Sequence, residues 1–290
     1  MDERLMVDTR LGALPVRVRG EGPVAVLWHS LFVDDRTWNR VEDDLARVRR
    51  LVIITGPGHG ASRDPGRRYT MDECARAAAE VLASLDVVEP VDWVGNAWGG
   101  HVGVVFAARW PERCRTLVTL GTPIQSYTLS ERLSNWILLP IARLFGPVGF
   151  IGTGIRDVLL SPTTLAQAPE AGALVLDCLR TMNRAALINA VVSISLRRPD
   201  LSSRLAQIRC PTLFVTGSDH KGWTMEQAQT ASRLLADGAI EVIPNAAYLL
   251  PLEAPDRTVQ LVRDFWALQA QRFSSDNDQR ALSGAIFGDL

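Results

Sequence analysis

Gly95-Asn96-Ala97-Trp98-Gly99 is the stretch that decides the fold, because it joins an apolar run to a helical pattern. The apolar run covers residues 91–94, and the helical pattern covers residues 100–109. This succession predicts a buried strand, a tight turn and a helix. So sharp a turn crowds the backbone on both sides, and glycine fits each flank because it has no side chain. The central residue, Ala97, carries only a methyl group, so it offers a ligand no polar side-chain atom.

Strand and helix patterns alternate on both sides of this turn. Short apolar runs, typical of parallel strands buried on both faces, lie at residues 24–28, 51–55, 91–94, 116–120, 212–216 and 240–243. Helical spacing separates them at residues 36–49, 71–86, 100–109, 225–235 and 256–271. Residues 5–7 and 15–19 are typical of edge strands. We therefore predict an α/β fold, with a mostly parallel sheet flanked by helices.

The alternation stops after residue 124 and resumes at about residue 208. The interval is helical in pattern, at residues 129–145, 163–167 and 171–196. We interpret it as a cap inserted into the α/β core. The predicted units are residues 1–124 as the first part of the core, 125–207 as the helical cap, 208–272 as the second part of the core and 273–290 as a polar C-terminal tail.

Five segments, in order, resemble characteristic segments of the α/β-hydrolase superfamily. They lie at residues 28–31, 55–62, 95–99, 211–219 and 245–255. The first, Trp28-His29-Ser30-Leu31, is similar to the His-Gly-x segment beside the oxyanion hole. The third is similar to the nucleophile elbow, Gly-x-Ser-x-Gly. The resemblance extends from about residue 5 to about residue 271, and it implies an α/β-hydrolase fold with an inserted cap.

The resemblance also implies a catalytic triad of serine, aspartate and histidine, which maps here onto Ala97, Asp219 and Tyr248. A serine hydroxyl becomes a useful nucleophile only beside a base, and an imidazole serves because its pKa lies near neutrality. A phenol, with an ordinary pKa of about 10, does not accept that proton at pH 7. The mapped triad is therefore degenerate, and we expect no hydrolysis through a serine nucleophile.

The rest of the implied site remains chemically useful. The backbone N–H groups of Leu31 and Trp98 correspond to the oxyanion hole, at the carboxyl end of the sheet where ligands bind in α/β proteins. The candidate substrate-binding residues around them are Ser30, Asn96, Trp136, Phe145 and His220. The cap residues Trp136 and Phe145 suit an apolar or aromatic small molecule, although simple cap packing explains the same apolar pattern.

Four histidines, at positions 29, 59, 101 and 220, are the possible substitutes for the missing base. His220 is the best placed, because it directly follows Asp219. For each of the four, a hydrogen-bonded loop or core histidine is the simpler interpretation.

Composition excludes several other classes of protein. The chain has 290 residues and a formal net charge of −1, so it carries no electrostatic signature of a nucleic-acid or membrane-surface protein. Its four cysteines are scattered, which predicts reduced thiols, no metal site and a cytoplasmic location. Residues 136–155, the most apolar stretch, are interrupted by proline and glycine, and the acidic N-terminus does not resemble a signal peptide. No dinucleotide or P-loop pattern occurs, so we expect no cofactor.

Three functional hypotheses follow. The first is a non-hydrolytic small-molecule enzyme of the lyase, cyclase or dehydratase type, with Tyr248 or Asp219 as the general acid. The second is a ligand-binding or regulatory protein without catalysis, whose cap also contacts a protein partner. The third is an esterase or C–C hydrolase inactivated by engineering at Ala97. Tyr248 favours native loss, since trapping a substrate needs only one substitution, while a turn kept only for folding is a further possibility.

Overall fold

The computed structural model of the chain describes residues 2–127, 129, 136, 140, 143–144, 146–147 and 149–286, with backbone alone described for 276–286. Eight strands form one sheet: β1 (Asp2–Thr9), β2 (Gly12–Arg19), β3 (Val24–Trp28), β4 (Arg50–Ile54), β5 (Val91–Asn96), β6 (Cys114–Leu120), β7 (Thr212–Gly217) and β8 (Gly238–Ile243). Their order is β1-β2-β4-β3-β5-β6-β7-β8. The pairs β1–β2 and β2–β4 are antiparallel and all others are parallel, which confirms the predicted mostly parallel sheet.

One of the two predicted edge strands is not at an edge. Residues 16–19 of β2 pair with residues 51–54 of β4 on one side, and β2 pairs with β1 on the other. The edges are formed by β1 and β8. Val16 and Val18 are buried in β2, so the hairpin inserts its second strand into the sheet and leaves its first outside.

Helices flank the sheet and build the cap. They are α1 (Glu42–Ala46), α2 (Met71–Ser84), α3 (Trp98–Arg109), α4 (Gly149–Leu159), α5 (Pro162–Gln167), α6 (Pro169–Thr181), α7 (Arg184–Ala190), α8 (Ser202–Leu205), α9 (Met225–Ser232), α10 (Leu250–Glu253) and α11 (Pro255–Ile286). A π-helical segment, Val191–Leu196, follows α7. Most of the predicted helix over residues 129–145, including Phe145, lies outside the described residues.

Three of the predicted helices differ from the structure. The single helix predicted over residues 171–196 is divided, because α6 ends at Thr181, Asn183 caps the start of α7 through its side chain, and α7 is followed by the π-helical segment. The single helix predicted over residues 36–49 is wrong, because the chain forms a 3₁₀ turn at Asp35–Trp38 and then the short α1. Asp34 caps that turn through its side chain, and Arg17 bonds both Asp35 and Glu42, which fixes the two pieces separately against β2. At the C-terminus, α11 continues to Ile286, past the boundary predicted at residue 272.

Alternate residues of the central strands supply two apolar layers. In β3, Val26 and Trp28 pack with α2 and α3 on one face of the sheet. Ala25 and Leu27 pack on the other face with Leu45 of α1 and with α11. This period of two, with no solvent-facing side, is what makes the strand sequences continuously apolar.

A buried ionic network fixes the start of β5. The Asp92 carboxylate is fully buried and accepts hydrogen bonds from Arg49 Nε at 2.7 Å, Arg115 Nη2 at 2.6 Å and Thr116 Oγ1 at 2.7 Å. Arg49 also lies over the ring of Trp266, 4.6 Å from its centroid. One carboxylate therefore ties β5 to β6, to the segment before β4 and to α11.

We expect Asp92→Ala to lower the free energy of unfolding by about 3–5 kcal/mol, because it removes a fully buried carboxylate and leaves the partly buried guanidinium groups of Arg49 and Arg115 without their anion. Urea denaturation followed by circular dichroism measures this loss. Asp44→Ala is the matched control, since its side chain is 42% exposed and, among the described residues, its ion-pair partner is Arg47, and it should cost less than about 0.5 kcal/mol. Equal losses in the two variants would contradict the prediction.

Candidate functional site

The turn between β5 and α3 has the backbone of a nucleophile elbow. Ala97 adopts φ 46° and ψ −99°, a conformation that residues other than glycine adopt rarely. Its N–H donates to Leu120 O at 2.7 Å, and its carbonyl accepts from His101 N at 3.0 Å. A Cβ on Gly95 would overlap the backbone of Gly99, and a Cβ on Gly99 would overlap the carbonyl of Trp28. Only glycine therefore fits at both flanks.

Two backbone donors, the N–H groups of Leu31 and Trp98, border this turn. Gly99 N donates to His29 O at 3.1 Å, which holds the start of α3 against the loop after β3. Leu31 lies on that loop and Trp98 is the first residue of α3; both are buried. Within the described part of the chain, neither N–H donates to a protein acceptor. The Trp98 amide also belongs to the N-terminus of a 12-residue helix, where a negative charge is stabilised.

Asp219 lies just beyond the end of β7. Its N–H donates to Ala246 O at 2.9 Å, so its loop is joined to the loop after β8. Its carboxylate accepts a hydrogen bond from Ser218 Oγ at 2.9 Å. Ser218 Oγ in turn accepts a hydrogen bond from Asn245 N at 2.9 Å. The Asp219 residue is half-buried, so the carboxylate keeps contact with solvent while a serine hydroxyl orients it.

Tyr248 is fixed through both its backbone and its ring. Its carbonyl accepts from Asn96 Nδ2 at 2.7 Å, and its N–H donates to Leu159 O of the cap at 3.2 Å. The ring stacks on His220, with centroids 3.5 Å apart and planes inclined by 29°. The hydroxyl lies 3.0 Å from the position that a Cβ on Gly222 would occupy, so glycine there leaves room for the phenol.

Asn96 and Ser30 lie beside the turn, and their side chains donate hydrogen bonds to backbone carbonyl groups. The Asn96 amide, fully buried, donates to Leu120 O at 2.9 Å as well as to Tyr248 O. Ser30 Oγ donates to Leu31 O at 3.3 Å. Among the cap candidates, Trp136 is 44% exposed and Phe145 lies outside the described residues.

The four histidines are buried and bonded to the backbone. His220 Nδ1 accepts from Gly222 N at 3.1 Å, and its Nε2 lies 3.3 Å from Gly121 O. Burial lowers the pKa of His220 to about 4 and that of His59 to about 3. Burial lowers the pKa of His29 and of His101 as well, with Arg198 lowering the latter further. At neutral pH these imidazoles are therefore uncharged and held in place.

Glu253 joins the Tyr248 loop to the cap, a role that sequence reasoning missed. Its Oε1 accepts from the N–H groups of Ala247 and Leu249, at 2.9 and 3.0 Å. Its Oε2 accepts from Ser161 N at 2.7 Å and Thr164 Oγ1 at 3.1 Å. Burial raises the pKa of Glu253, and these hydrogen bonds to the carboxylate oppose the rise. The acidic residue within segment 245–255 was the available signal.

A second connection joins the loop after β3 to the cap. Arg36 Nη1 donates to Asp177 Oδ2 of α6 at 2.7 Å, while its Nη2 donates to Asp34 Oδ2 at 2.9 Å. The bonds to Asp34, the largest influence, raise the pKa of Arg36, so the guanidinium stays charged. The cap is therefore bonded to the core at two places, through Glu253 and through Arg36.

No group of three or more His, Cys, Asp or Glu side chains in the described residues is arranged to hold a metal ion. None of the helices described is long and apolar enough to cross a membrane.

Comparisons with known proteins show the family to which the chain belongs. The sequence model of the alpha/beta hydrolase family matches residues 25–261, so the chain belongs to that family. It is 24% identical over 272 residues to the 2-hydroxy-6-oxo-2,4-heptadienoate hydrolase of Pseudomonas putida, covering 90% of this chain and 92% of the relative. It is 26% identical over 265 residues to a putative 2-succinyl-6-hydroxy-2,4-cyclohexadiene-1-carboxylate synthase of Bacillus subtilis, covering 86% and 93%.

Solved structures share the fold. A thermophilic esterase from Thermogutta terrifontis superposes with a TM-score of 0.85 at 22% identity, covering 92% of this chain and 99% of that one. The enol-lactonase from Burkholderia xenovorans superposes with a TM-score of 0.83 at 19% identity, covering 91% and 100%. The α/β-hydrolase fold expected from the five sequence segments is thereby confirmed.

We expect none of the four histidines to titrate between about pH 6 and pH 8, because burial disfavours their charged forms. The Cε1 proton shifts of a ¹³C-labelled sample measure this directly. The pKa of His220 is about 4 in the folded chain and ~6.5 in the unfolded chain, so the unfolded chain binds the proton more readily. The stability that the uncharged His220 contributes is therefore complete above pH ~6.5 and is lost as the pH falls toward about 4. A histidine that titrates near pH 7 would contradict the prediction.

We expect Glu253→Gln to lower the free energy of unfolding by about 1–3 kcal/mol, because an amide N–H₂ would face backbone donors in a buried site. Amide hydrogen exchange should also become faster at residues 247 and 249. Glu241→Gln is the control, since its side chain is 44% exposed. Unchanged exchange at both amides would contradict the role assigned to Glu253.

Proposed function

We propose that this chain is a small-molecule enzyme of the α/β-hydrolase family that works without an acyl-enzyme intermediate. Its reaction is of the lyase, cyclase or dehydratase type, and its substrate is an apolar or aromatic molecule bearing a carbonyl or carboxylate. One observation carries the proposal: the elbow keeps its strained backbone and its two available amide donors, although its central residue has no hydroxyl.

The strain at Ala97 is the first argument. An L-residue in left-handed backbone pays about 1–2 kcal/mol relative to glycine, and such strain is concentrated at functional sites. Glycine at this position would relieve the strain if the turn served folding alone. The conformation of Ala97 instead directs the N–H groups of α3 toward the end of the sheet, where they can stabilise a developing oxyanion.

The relatives support a particular class of substrate. One is named as a hydrolase of 2-hydroxy-6-oxo-2,4-heptadienoate, and another as a putative synthase of a cyclohexadiene carboxylate. Both names describe unsaturated carboxylates with polar oxygen substituents. The second name is that of a synthase, which indicates that relatives of this fold also serve reactions other than hydrolysis. We therefore propose conjugated oxo- or hydroxy-carboxylates as the substrate class.

Proton transfer would be carried by Tyr248 and Asp219. The phenol is a hydrogen-bond donor, and its ring is held by stacking on His220. Asp219 is half-buried, and Ser218 Oγ orients its carboxylate, so we assign it the role of proton acceptor. In this proposal the amides of Leu31 and Trp98 polarise the carbonyl, Tyr248 donates a proton and Asp219 accepts one.

A ligand-binding function without catalysis is the second candidate. The observation that favours it is the state of the histidines, which are all buried, uncharged and bonded to the backbone. Because burial lowers the pKa of each of these four histidines, none of them is an effective proton acceptor at neutral pH. In that case the cap would close over a ligand and present a surface to a protein partner. The buried, unpaired cysteines suit a cytoplasmic setting in either case.

We expect Ala97→Ser alone to show no p-nitrophenyl ester hydrolysis and no labelling by a fluorophosphonate, because no base lies ready for the new hydroxyl. The double variant Ala97→Ser/Tyr248→His should react at least ~100-fold faster than the single variant, the usual contribution of a general base. Ala97→Gly is the control for changes at the elbow that add no nucleophile. Rapid labelling of the single variant would overturn the proposal that the chain lacks a working base.

Absorbance separates the two candidate functions. When a conjugated dienoate is mixed with the unaltered chain, we expect the near-ultraviolet absorbance of the compound to change. An enzyme changes the spectrum of a large excess of the compound over many turnovers, whereas a binding protein changes it only up to one equivalent. Tyr248→Phe should abolish turnover and leave binding in place. Saturation at one equivalent for every member of the class would reject the catalytic proposal in favour of the binding one.

A further inference from the structure

A groove of about 260 Å³ lies at the junction between the core and the returning end of the cap. It is lined by residues before and at the start of α2, by Val105 of α3, by the π-helical segment and by the chain that leads into α8. Its charged and polar lining includes Arg68, Asp72, Ser193, Arg197 and Arg204, and its apolar lining includes Met71 and Leu201. Ala97, Leu31, Trp98, Asp219 and Tyr248 are absent from its lining. The groove is therefore separate from the elbow.

Positive charge dominates the rim. Three arginines, Arg68, Arg197 and Arg204, line the groove together with one carboxylate, that of Asp72. Arg204 Nη2 lies 3.3 Å from Asp72 Oδ2, so this pair partly neutralises itself. Arg68 and Arg197 are exposed, and neither side chain forms an ion pair with the residues that the structure describes. Two guanidinium groups are thus available to an external anion.

The floor of the groove is apolar. Met71, Val105 and Leu201 line it and are each at most 3% exposed. Ser193 adds one polar group, since its Oγ accepts from Tyr69 N at 3.0 Å, and within the described part its hydroxyl proton has no recorded acceptor. An apolar floor beneath a cationic rim suits a molecule that has a hydrocarbon body and an anionic end.

Size restricts the ligand further. Sites for drug-sized ligands usually measure about 300–1,000 Å³, so a groove of about 260 Å³ suits a single ring with one anionic substituent. Guanidinium groups bind both carboxylates and phosphates in a bidentate manner. We propose that this groove binds a small aromatic or alicyclic organic anion, with its ring on Met71, Val105 and Leu201 and its charge on Arg68 and Arg197.

Such a ligand would contact both parts of the fold. Arg68 and Met71 belong to the core, whereas Ser193 and Arg197 belong to the segment by which the cap returns to it. Tyr69 connects the groove to the turn after β4, because its hydroxyl donates to Pro57 O at 3.3 Å. Binding would therefore stabilise the docked position of the cap. This inference does not depend on the reaction proposed for the elbow.

Isothermal titration calorimetry with benzoate and with phenyl phosphate tests the proposal. Phenol is the uncharged analogue, and inorganic phosphate is the anion without a ring. We expect both organic anions to bind, and phenol and inorganic phosphate to bind at least severalfold more weakly. Arg68→Ala/Arg197→Ala should weaken binding by about tenfold, as expected for the loss of two exposed ion pairs. The control is Arg233→Ala, an exposed arginine on α9's C-terminal side, which should bind like the unaltered chain.

Anomalous scattering from 4-bromobenzoate in crystals locates the ligand. Bromine density over Met71 and Leu201 supports the proposal. Bromine density beside Ala97 alone, or equal affinity in the double variant and the unaltered chain, would overturn it. Equal binding of inorganic phosphate would also overturn it, since the apolar floor would then contribute nothing.

Discussion

The contact between the start of α3 and the end of β3 is the constraint on which the site depends. Gly99 approaches the carbonyl of Trp28 so closely that no side chain fits between them, and Gly95 approaches Gly99 in the same way. This approach lets Gly99 N bond to His29 O, which aligns the Leu31 loop with the N-terminus of α3. This packing holds the loop that carries Leu31 against the helix end that carries the Trp98 amide. The strained backbone conformation of Ala97 is the consequence.

Around that contact, hydrogen bonds organise the surrounding loops. Asn96 holds the Tyr248 carbonyl, and Glu253 holds the amides on either side of it and reaches the cap. Arg36 provides the corresponding connection on the other side. These contacts hold the loops around Ala97 in place independently of its side chain, so the backbone of a ligand site is supported from several directions.

Much of the fold could be predicted from sequence, because buried parallel strands and amphipathic helices leave clear periodicities. Residues 36–49 illustrate the limit: their spacing is helical, but the Asp34 cap and the pull of Arg17 on Asp35 and Glu42 divide them. The linear order of segments located Ala97, Leu31, Trp98, Asp219 and Tyr248. It could not reveal the stacking of Tyr248 on His220 or the four contacts of Glu253, since these depend on side-chain directions in space.

The independence of the elbow backbone from its central side chain has an evolutionary consequence. Alanine and serine codons of the GCN and TCN sets differ at one base, as do the TAY and CAY codons of tyrosine and histidine. Because the main chain already holds the geometry that a nucleophile would need, neither replacement requires the surrounding scaffold to be rebuilt. Under the function proposed above, the replacement of alanine by serine and of tyrosine by histidine would convert the site toward hydrolysis, and the reverse replacements would convert it back, while the architecture persists.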